Sequence, residues 1–222
     1  MKQTFLVVGS DTDVGKTYVS CKLLESCRRL SIPAKGIKPI ESGMAILAPE
    51  TEDGHRLAKA SGQSTPQRAL IRLQDPVAPP LAAEREGVSI DWMYLVNQVD
   101  AQIDASKLTL IEGAGGLLSP LTWEHSAADL ALALNAALVV VVLDKLGAVH
   151  QARTCLAIAQ AYGLRVAALI LNAGFDPDGT SGQNRASLMK CPEWDSGKGP
   201  EIFNVGLDEV ETTFDHIVKA IH

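Results

Sequence analysis

The sequence predicts an α/β fold in which a mainly parallel sheet is covered by helices on both faces. Three observations lead to this prediction. Short apolar runs recur along the chain, apolar residues at helical spacing fill the intervals between them, and a glycine-rich turn joins the first run to the first helix. Strands and helices that alternate in this way form parallel sheets with right-handed crossovers.

Five apolar runs are the predicted strands. They are Thr4–Val8, Ala34–Pro39, Leu108–Glu112, Leu138–Asp144 and Val166–Asn172. The fourth run contains VVVVL, which is apolar at consecutive positions, as expected of a strand that is buried on both faces. Because ligands of such sheets bind beyond the carboxyl ends of the strands, these ends are where a functional site is expected.

Helices are predicted wherever apolar residues recur every three or four positions. This spacing follows the first and fourth strands, precedes the third, and returns near the C-terminus, where Asp208 is the expected N-cap of the last helix. Two segments are less regular. The first, Gly43–Gly62, carries the acidic cluster PETEDG before an alanine-rich helix. The second, Asp176–Pro200, is rich in Gly, Pro, Ser and Asp, which predicts a mobile surface segment.

The bulk composition limits the class of protein. A chain of 222 residues fits one α/β domain over residues 1–222. Its net charge of -6 argues against general nucleic-acid binding, and no apolar run reaches the ~18 residues of a membrane span. The first strand begins so near Met1 that we expect no signal peptide. The four cysteines form no CxxC pair, so we expect a reduced, cytoplasmic protein without membrane or nucleic-acid partners.

The turn after the first strand reads GSDTDVGKT, from Gly9 to Thr17. It has the form of a Walker A phosphate loop, with five rather than four residues between its glycines. Backbone N–H groups at the start of the following helix can bind a phosphate. Lys16 can neutralise the β- and γ-phosphates, and the Thr17 hydroxyl can bind Mg²⁺.

Three further segments stand where strands end. In KPIESG, Lys38 comes one residue before a proline that stops a strand, a position that packing explains poorly. In EGAGG, Glu112 follows LTLI in the manner of a Walker B carboxylate for Mg²⁺, and its glycines let the backbone approach a ligand. In LNA, the amide of Asn172 could contact a purine edge.

Taken in order and at these separations, GSDTDVGKT, KPIESG and EGAGGLLSPL resemble the dethiobiotin synthetase family of the P-loop NTPase superfamily. The resemblance covers about residues 4 to 174, and the family has the same five-residue spacer. The related MinD/ParA-type ATPases share the architecture but carry a signature lysine early in the loop. This chain has Asp11 at that position, which favours the first family.

The resemblance implies an ATP-dependent ligase of biotin biosynthesis that acts as a homodimer. Its substrates would be 7,8-diaminopelargonate, CO₂ and MgATP. One amine captures CO₂ as a carbamate, a carbamate oxygen attacks the γ-phosphorus, and the second amine closes the ring and expels phosphate. Fixed cations must offset the repulsion between the carbamate and the polyphosphate, and no nucleophilic side chain is needed.

The resemblance also implies roles for individual residues. It assigns catalysis to Lys38, Lys16 and Thr12, and magnesium binding to Thr17, Asp53 and Glu112. Glu50 and Glu52 are close enough to compete with Asp53. The implied ATP-binding residues are Asp13, Val14, Gly15, Lys16, Thr17, Tyr18, Asp53, Glu112, Gly113, Ala114, Gly115 and Asn172. The implied substrate-binding residues are Ser42, Gly116, Leu146, Gly147 and His150, the last three coming from the partner subunit.

The sequence departs from the family pattern at two places, and other functions stay open. His150 stands where an asparagine-like donor is expected, and PEIFNVGLDE lacks the proline of an adenine-binding turn, which suggests tolerance of other nucleoside triphosphates. The main alternative is a MinD/ParA-like regulatory ATPase. A cobyrinic acid amidating domain would need a glutaminase partner domain, for which 222 residues leave no space. A protein that binds nucleotide without turnover is disfavoured because Lys16, Thr17, Lys38 and Glu112 occur together.

Overall fold

A six-stranded sheet forms the centre of the molecule. The computed structural model describes residues 3–174, 176–206 and 210–222. The strand order is β2-β5-β1-β6-β7-β8, every pair is parallel, and β3 and β4 form a separate parallel pair. The strands are β1 (Gln3–Gly9), β2 (Ala34–Ile37), β3 (Ile40–Glu41), β4 (Ile71–Arg72), β5 (Leu108–Gly116), β6 (Ala137–Leu143), β7 (Val166–Asn172) and β8 (Ile202–Val205).

Helices fill the connections between the strands. A short 3-10 helix, Pro49–Thr51, precedes the second α-helix. The α-helices are α1 (Lys16–Arg29), α2 (Asp53–Ser61), α3 (Pro79–Arg85), α4 (Trp92–Asp100), α5 (Ala127–Ala133), α6 (Ala148–Ala161), α7 (Asn184–Leu188), α8 (Pro192–Asp195) and α9 (Val210–Ile221).

The sheet divides the apolar core into two layers because side chains alternate along each strand. Phe5 and Val7 pack with α1, α2 and α9, whereas Leu6 and Val8 pack with the helices from α3 to α8. Burying both faces explains why β6 is apolar at consecutive positions. The prediction of a mainly parallel sheet with helices on both faces is confirmed.

The strand bounds differ from the prediction in informative ways. The third predicted strand does not end at Glu112, because β5 continues to Gly116, which pairs with Gly9. β1 advances from Val7 to Gly9 while β5 advances from Glu112 to Gly116, so β5 bulges directly after the acid. Strand β2 ends at Ile37, before Lys38 and the proline. The expected N-cap of the last helix, Asp208, lies outside the described residues.

The segment 176–200 is more regular than its composition suggests. It contains α7 and α8, and three of its side chains, Asn184, Leu188 and Trp194, are buried. Asn184 Nδ2 donates to Asp144 Oδ1 at 2.7 Å, and Gly182 N donates to Asp144 Oδ2 at 2.6 Å. The segment is therefore attached to the turn between β6 and α6, and its mobility stays a prediction.

Within residues 3–174, 176–206 and 210–222, no helix combines the length and the apolar character that a membrane span requires.

Candidate active site

The phosphate loop connects β1 to α1 in the strand–turn–helix context that its motif requires. Gly15 is the N-cap of α1 with a φ of 91°, a left-handed conformation that favours glycine. A Cβ atom there would lie 2.2 Å from Asn172 Nδ2. That nitrogen donates to the Val14 carbonyl at 2.9 Å, so the end of β7 supports the loop from beneath.

The two acids of the loop, Asp11 and Asp13, are exposed, and the Asp11 carboxylate accepts a hydrogen bond from the adjacent backbone. The N–H of Thr12 donates to Asp11 Oδ1 at 2.7 Å, and Lys16 Nζ lies 3.4 Å from the Asp11 carbonyl oxygen. The Asp11 carboxylate therefore shapes the turn. Asp13 has a φ of 55°, which adds to the local backbone strain in this loop.

Four side chains from four separate elements converge beside the loop. Lys38 Nζ donates to Glu112 Oε1 at 2.7 Å and to Asp53 Oδ2 at 2.8 Å. Thr17 Oγ1 lies 2.8 Å from Glu112 Oε1 and 2.9 Å from Asp53 Oδ1. The parallel register of β2 and β5 explains the first contact, because Ile37 is paired with Ile111, and Lys38 and Glu112 are the residues that directly follow this last pair.

The charges in this cluster stabilise each other. Burial alone would lower the pKa of Lys38, but the Glu112 and Asp53 carboxylates outweigh it and raise that pKa above its ordinary value. Burial likewise opposes ionisation of Asp53, yet the Lys38 ammonium holds the pKa of that carboxyl below its usual value. Burial and the nearby Lys38 charge lower the pKa of Lys16. Lys38 is therefore an ammonium at neutral pH, held between two carboxylates.

The structure separates the three acids that compete at the start of α2. Asp53 is the one that reaches Thr17 and Lys38. Glu52 points elsewhere, because its carboxylate is buried against Arg72 Nη2 at 2.6 Å. Glu50 is exposed in the preceding 3-10 helix. Geometry therefore favours Asp53 over its two neighbours as the metal-facing acid.

Thr17, Asp53 and Glu112 present an all-oxygen set that suits Mg²⁺, which is typically held by one or two carboxylates together with substrate phosphates. Glu112 Oε2 is buried and has no hydrogen-bond partner in the described part of the chain. Such an orphaned carboxylate oxygen is costly unless a cation or donor meets it. The described residues contain no group of three or more His, Cys, Asp or Glu suited to a metal. The Asp53 and Glu112 carboxylates and the Thr17 hydroxyl offer only hard oxygen donors, and on that chemistry the residues present fit magnesium.

A cleft of about 670 Å³ lies over this cluster. Many of the predicted site residues line it together: Thr12, Asp13, Gly15, Lys16, Thr17, Tyr18, Lys38, Ser42, Asp53, Ala114 and Gly115. An adjoining pocket of about 300 Å³ is lined by Leu143, Asn172 and Gly174, and it shares Asp13, Gly15 and Tyr18 with the cleft. The arrangement suits an elongated polyanion, with the phosphate loop between two hollows.

Other predicted site residues lie outside the lining of both hollows. Gly113 is buried within β5, and Gly116 donates from its N–H to Ser119 Oγ at 2.7 Å. Leu146, Gly147 and His150 are exposed at the start of α6. This helix start is near the loop, because Ser10 Oγ donates to Gln151 Oε1 at 3.0 Å. Within one chain, these three residues do not join the cleft.

Sequence reasoning missed three residues of the cleft, the apolar Ile40 and the charged Glu41 and Arg56. Arg56 lies one helical turn after Asp53, and that spacing alone could have placed both side chains on one face of α2. Glu41 gave no comparable signal. Its carboxylate binds the first turn of α2, which is a tertiary contact that the KPIESG motif does not encode.

Comparison with known proteins agrees with this geometry. A family model described as an AAA domain matches residues 3–193. The ATP-dependent dethiobiotin synthetase BioD of Caulobacter vibrioides (strain NA1000 / CB15N) is 34% identical over 212 residues, which are 89% of this chain and 96% of that protein. The protein of the same name from Anaeromyxobacter sp. (strain Fw109-5) is 37% identical over 177 residues, covering 79% of this chain and 78% of that one.

Solved structures share the fold at low sequence identity. The septum site-determining protein MinD of Pyrococcus horikoshii, complexed with Mg-ADP, has a TM-score of 0.57 at 11% identity, covering 100% of this chain and 96% of that one. The cell division ATPase MinD of Pyrococcus furiosus has a TM-score of 0.56 at 12% identity, with coverage of 99% and 98%. These likenesses confirm the P-loop NTPase fold. The sequence relationships go further, and the chain is a member of the dethiobiotin synthetase family within the AAA-domain proteins.

Proposed function

We propose that this protein is an ATP-dependent cyclo-ligase that converts 7,8-diaminopelargonate and CO₂ to dethiobiotin, with release of ADP and phosphate. The observation that carries the proposal is the Lys38 ammonium, fixed between two carboxylates beside the phosphate loop, in a chain whose relatives are named dethiobiotin synthetase. A plain nucleotide-binding protein has no need of a second buried cation at this position.

The reaction begins when one substrate amine adds to CO₂ and loses a proton, giving a carbamate. A carbamate oxygen then attacks the γ-phosphorus, the bond to the β–γ bridging oxygen breaks, and ADP leaves. The second amine attacks the carbonyl carbon of the resulting anhydride, which closes the five-membered ring as phosphate departs. The substrate supplies both nucleophiles, so the protein contributes position and charge.

Lys16 and Lys38 supply that charge from two sides. Lys16 neutralises the β- and γ-phosphate oxygens, and Lys38 offsets the repulsion between carbamate and polyphosphate as the new bond forms. Thr12 borders the transferred phosphoryl group at the open edge of the loop. Because Lys38 is held by two carboxylates, it enters the reaction already oriented.

Thr17, Asp53 and Glu112 would hold Mg²⁺ here. When bound, the ion supplies further neutralisation of the β- and γ-phosphates. The backbone and side chains from Asp13 to Tyr18, with Gly113, Ala114 and Gly115, complete the ATP site. Asn172, which lines the smaller pocket, is the proposed base contact in addition to its bond to the loop.

The diaminopelargonate site combines residues of two subunits in this proposal. Ser42 and Gly116 lie at the nitrogen end of the substrate, while Leu146, Gly147 and His150 come from a partner copy. Their exposure in one chain supports that division, since Leu146 is 79% exposed. Sedimentation of the purified protein tests the homodimer, and a monomer under assay conditions would remove the second half of the site. We place the enzyme in the cytoplasm, where its small-molecule substrates occur.

The test of the function is ADP release that depends on diaminopelargonate and bicarbonate together, with dethiobiotin identified by mass spectrometry. Omission of either substrate should abolish the release. ADP formation from ATP alone, at an unchanged rate, would instead support the MinD/ParA-like alternative, for which the likeness of fold is the only argument.

Base selectivity is a separate part of the proposal. The segment that would enclose the base forms β8 and ends without the family's proline, so we expect turnover with GTP and CTP as well as ATP. Rates at saturating Mg²⁺ with each nucleotide measure this, and strict dependence on ATP would contradict it without affecting the ligase reaction.

A further inference from the structure

Glu41 is a buried acid in the cleft that the proposed reaction does not use. It lies on β3, three residues after Lys38 and directly before Ser42, and is 4% exposed. Burial raises the pKa of its carboxyl above the ordinary value. A carboxylate in such a place needs compensating donors, and the identity of those donors indicates its role.

The donors are the first two backbone amides of α2. Asp53 N donates to Glu41 Oε1 at 2.5 Å, and Gly54 N donates to Glu41 Oε2 at 3.1 Å. The first amides of a helix have no partner within the helix, and a negative charge near them is favourable. Both oxygens of Glu41 are thus engaged by one helix terminus.

The residue that would ordinarily cap this helix is committed elsewhere. Glu52 is the N-cap of α2, but its side chain makes no cap hydrogen bond and instead pairs with Arg72 at 2.6 Å. Glu41, which lies on β3, therefore caps the N-terminus of α2 in place of the Glu52 side chain. The cap also connects the KPIESG segment, which contains Lys38, to the start of α2.

The capped residue is the metal-facing acid itself. Asp53 is held through its backbone by Glu41, and through its side chain by Thr17 and Lys38. We propose that Glu41 is a positioning residue for the metal site, fixing the first turn of α2 so that the Asp53 carboxylate meets Thr17 and Lys38. This inference rests on the proposed function for the identity of the metal, but its test does not require the ligase reaction.

The test compares Glu41→Gln with the wild type in binding a non-hydrolysable ATP analogue by calorimetry, with Mg²⁺ and with EDTA. An amide keeps the shape but turns an NH₂ group toward one backbone N–H. We expect the gain in affinity from Mg²⁺ to fall by about 10- to 100-fold, as is typical when a group that orients a metal ligand is lost. Affinity in EDTA should not change. An unchanged Mg²⁺ gain in Glu41→Gln would overturn the proposal.

Asp91→Asn is the matched control, because Asp91 also caps a helix with its carboxylate, accepting from Tyr94 N at the start of α4. It should alter the melting temperature without altering the Mg²⁺ gain. A double-mutant cycle then identifies the route of action. In an Asp53→Asn background, Glu41→Gln should have no further effect on the Mg²⁺ gain, and additive effects would contradict an action through Asp53.

A wild-type measurement covers the case in which Glu41→Gln does not fold. The amide protons of Asp53 and Gly54 should exchange with solvent far more slowly than those of the preceding exposed segment, because Glu41 accepts from both. Equally fast exchange would overturn the proposal. If the wild type makes no dethiobiotin but shows a Mg²⁺ gain that depends on Glu41, the proposed function fails and this inference stands.

Discussion

Asp144 and Glu112 are buried acids near the carboxyl ends of two strands of the sheet, and their hydrogen-bond partners differ in kind. Asp144, directly after β6, is 2% exposed, and both its oxygens accept from neutral donors, Asn184 Nδ2 and Gly182 N. Glu112, within β5, is 0% exposed. One of its oxygens meets Lys38 and Thr17, while Oε2 has no partner among the described residues.

We propose that this difference distinguishes a structural acid, Asp144, from an acid that takes part in metal binding, Glu112. Both oxygens of the Asp144 carboxylate accept hydrogen bonds, and the groups that donate them attach the 176–200 segment to the turn before α6. Glu112 retains an accepting oxygen beside a fixed ammonium, which is an arrangement suited to an incoming cation. Burial of an acid therefore does not by itself indicate function. An unpaired oxygen alone does not either, since Oε2 of the buried Glu52, which pairs with Arg72, also has no hydrogen-bond partner among the described residues. What distinguishes Glu112 is that its free oxygen lies beside the Lys38 ammonium and the Thr17 hydroxyl.

Lys38→Ala is expected to have the largest effect, and it tests the surroundings of Glu112 by removing the ammonium that contacts it. We expect turnover to fall by about 10³-fold, because a fixed charge at the transferring group is lost, while ATP still binds. ADP release with both substrates and analogue binding measure the two effects. Lys35→Ala is the control, because Lys35 lies on β2, three residues before Lys38, with its Nζ 3.4 Å from Gln102 Oε1. Near-normal turnover of Lys38→Ala would remove it from the reaction.

Glu112→Gln tests the oxygen that is left over. The apparent affinity for Mg²⁺ in the ligase assay should fall by more than about 100-fold, since losing a ligand exceeds the 10- to 100-fold typical of losing its neighbours. Titration of turnover against Mg²⁺ measures it. The same Mg²⁺ dependence as in the wild type would show that this carboxylate is structural after all.

Asp144→Asn tests the acid whose two carboxylate oxygens both accept hydrogen bonds. An amide at this position turns an NH₂ group toward a donor, so we expect the free energy of unfolding to fall by about 1–3 kcal/mol. The Mg²⁺ dependence of turnover should not change. Urea denaturation provides the first value and the Mg²⁺ titration the second. Loss of metal dependence without loss of stability would reverse the assignment of the two acids.

Arg56→Ala should have the smallest effect. Arg56 is exposed at the cleft, one turn from Asp53, and adds a solvated cation near the expected phosphates. Because exposed charge pairs contribute about 0.2–1 kcal/mol, KM for ATP should rise by about two- to fivefold with kcat unchanged. Arg56→Lys should restore KM, and the effect should shrink in high salt. An effect confined to kcat would point to a different role.

Local patterns were sufficient to predict five of the six strands of the central sheet, the phosphate loop and the position of Lys38 at the end of a strand. They failed where the answer depends on contacts distant in sequence. β8 was not predicted, because IFNV is short and is defined by its pairing with β7. The choice of Asp53 over Glu52 depends on Arg72, which is twenty residues away on β4. The extension of β5 depends on glycines that pair with β1 despite their low strand preference.

The Thr17 hydroxyl cannot donate to both of the carboxylates that it contacts. Its hydroxyl oxygen is within 2.9 Å of oxygens from both Asp53 and Glu112, yet a hydroxyl carries a single hydrogen. In one of the two contacts, lone pairs of the hydroxyl oxygen and a carboxylate oxygen therefore face each other without a hydrogen between them, which is repulsive. A divalent ion held by Thr17, Asp53 and Glu112 would offset that repulsion and would leave the hydroxyl hydrogen free to point toward a polyphosphate. Metal and nucleotide should consequently bind cooperatively, each raising the affinity for the other.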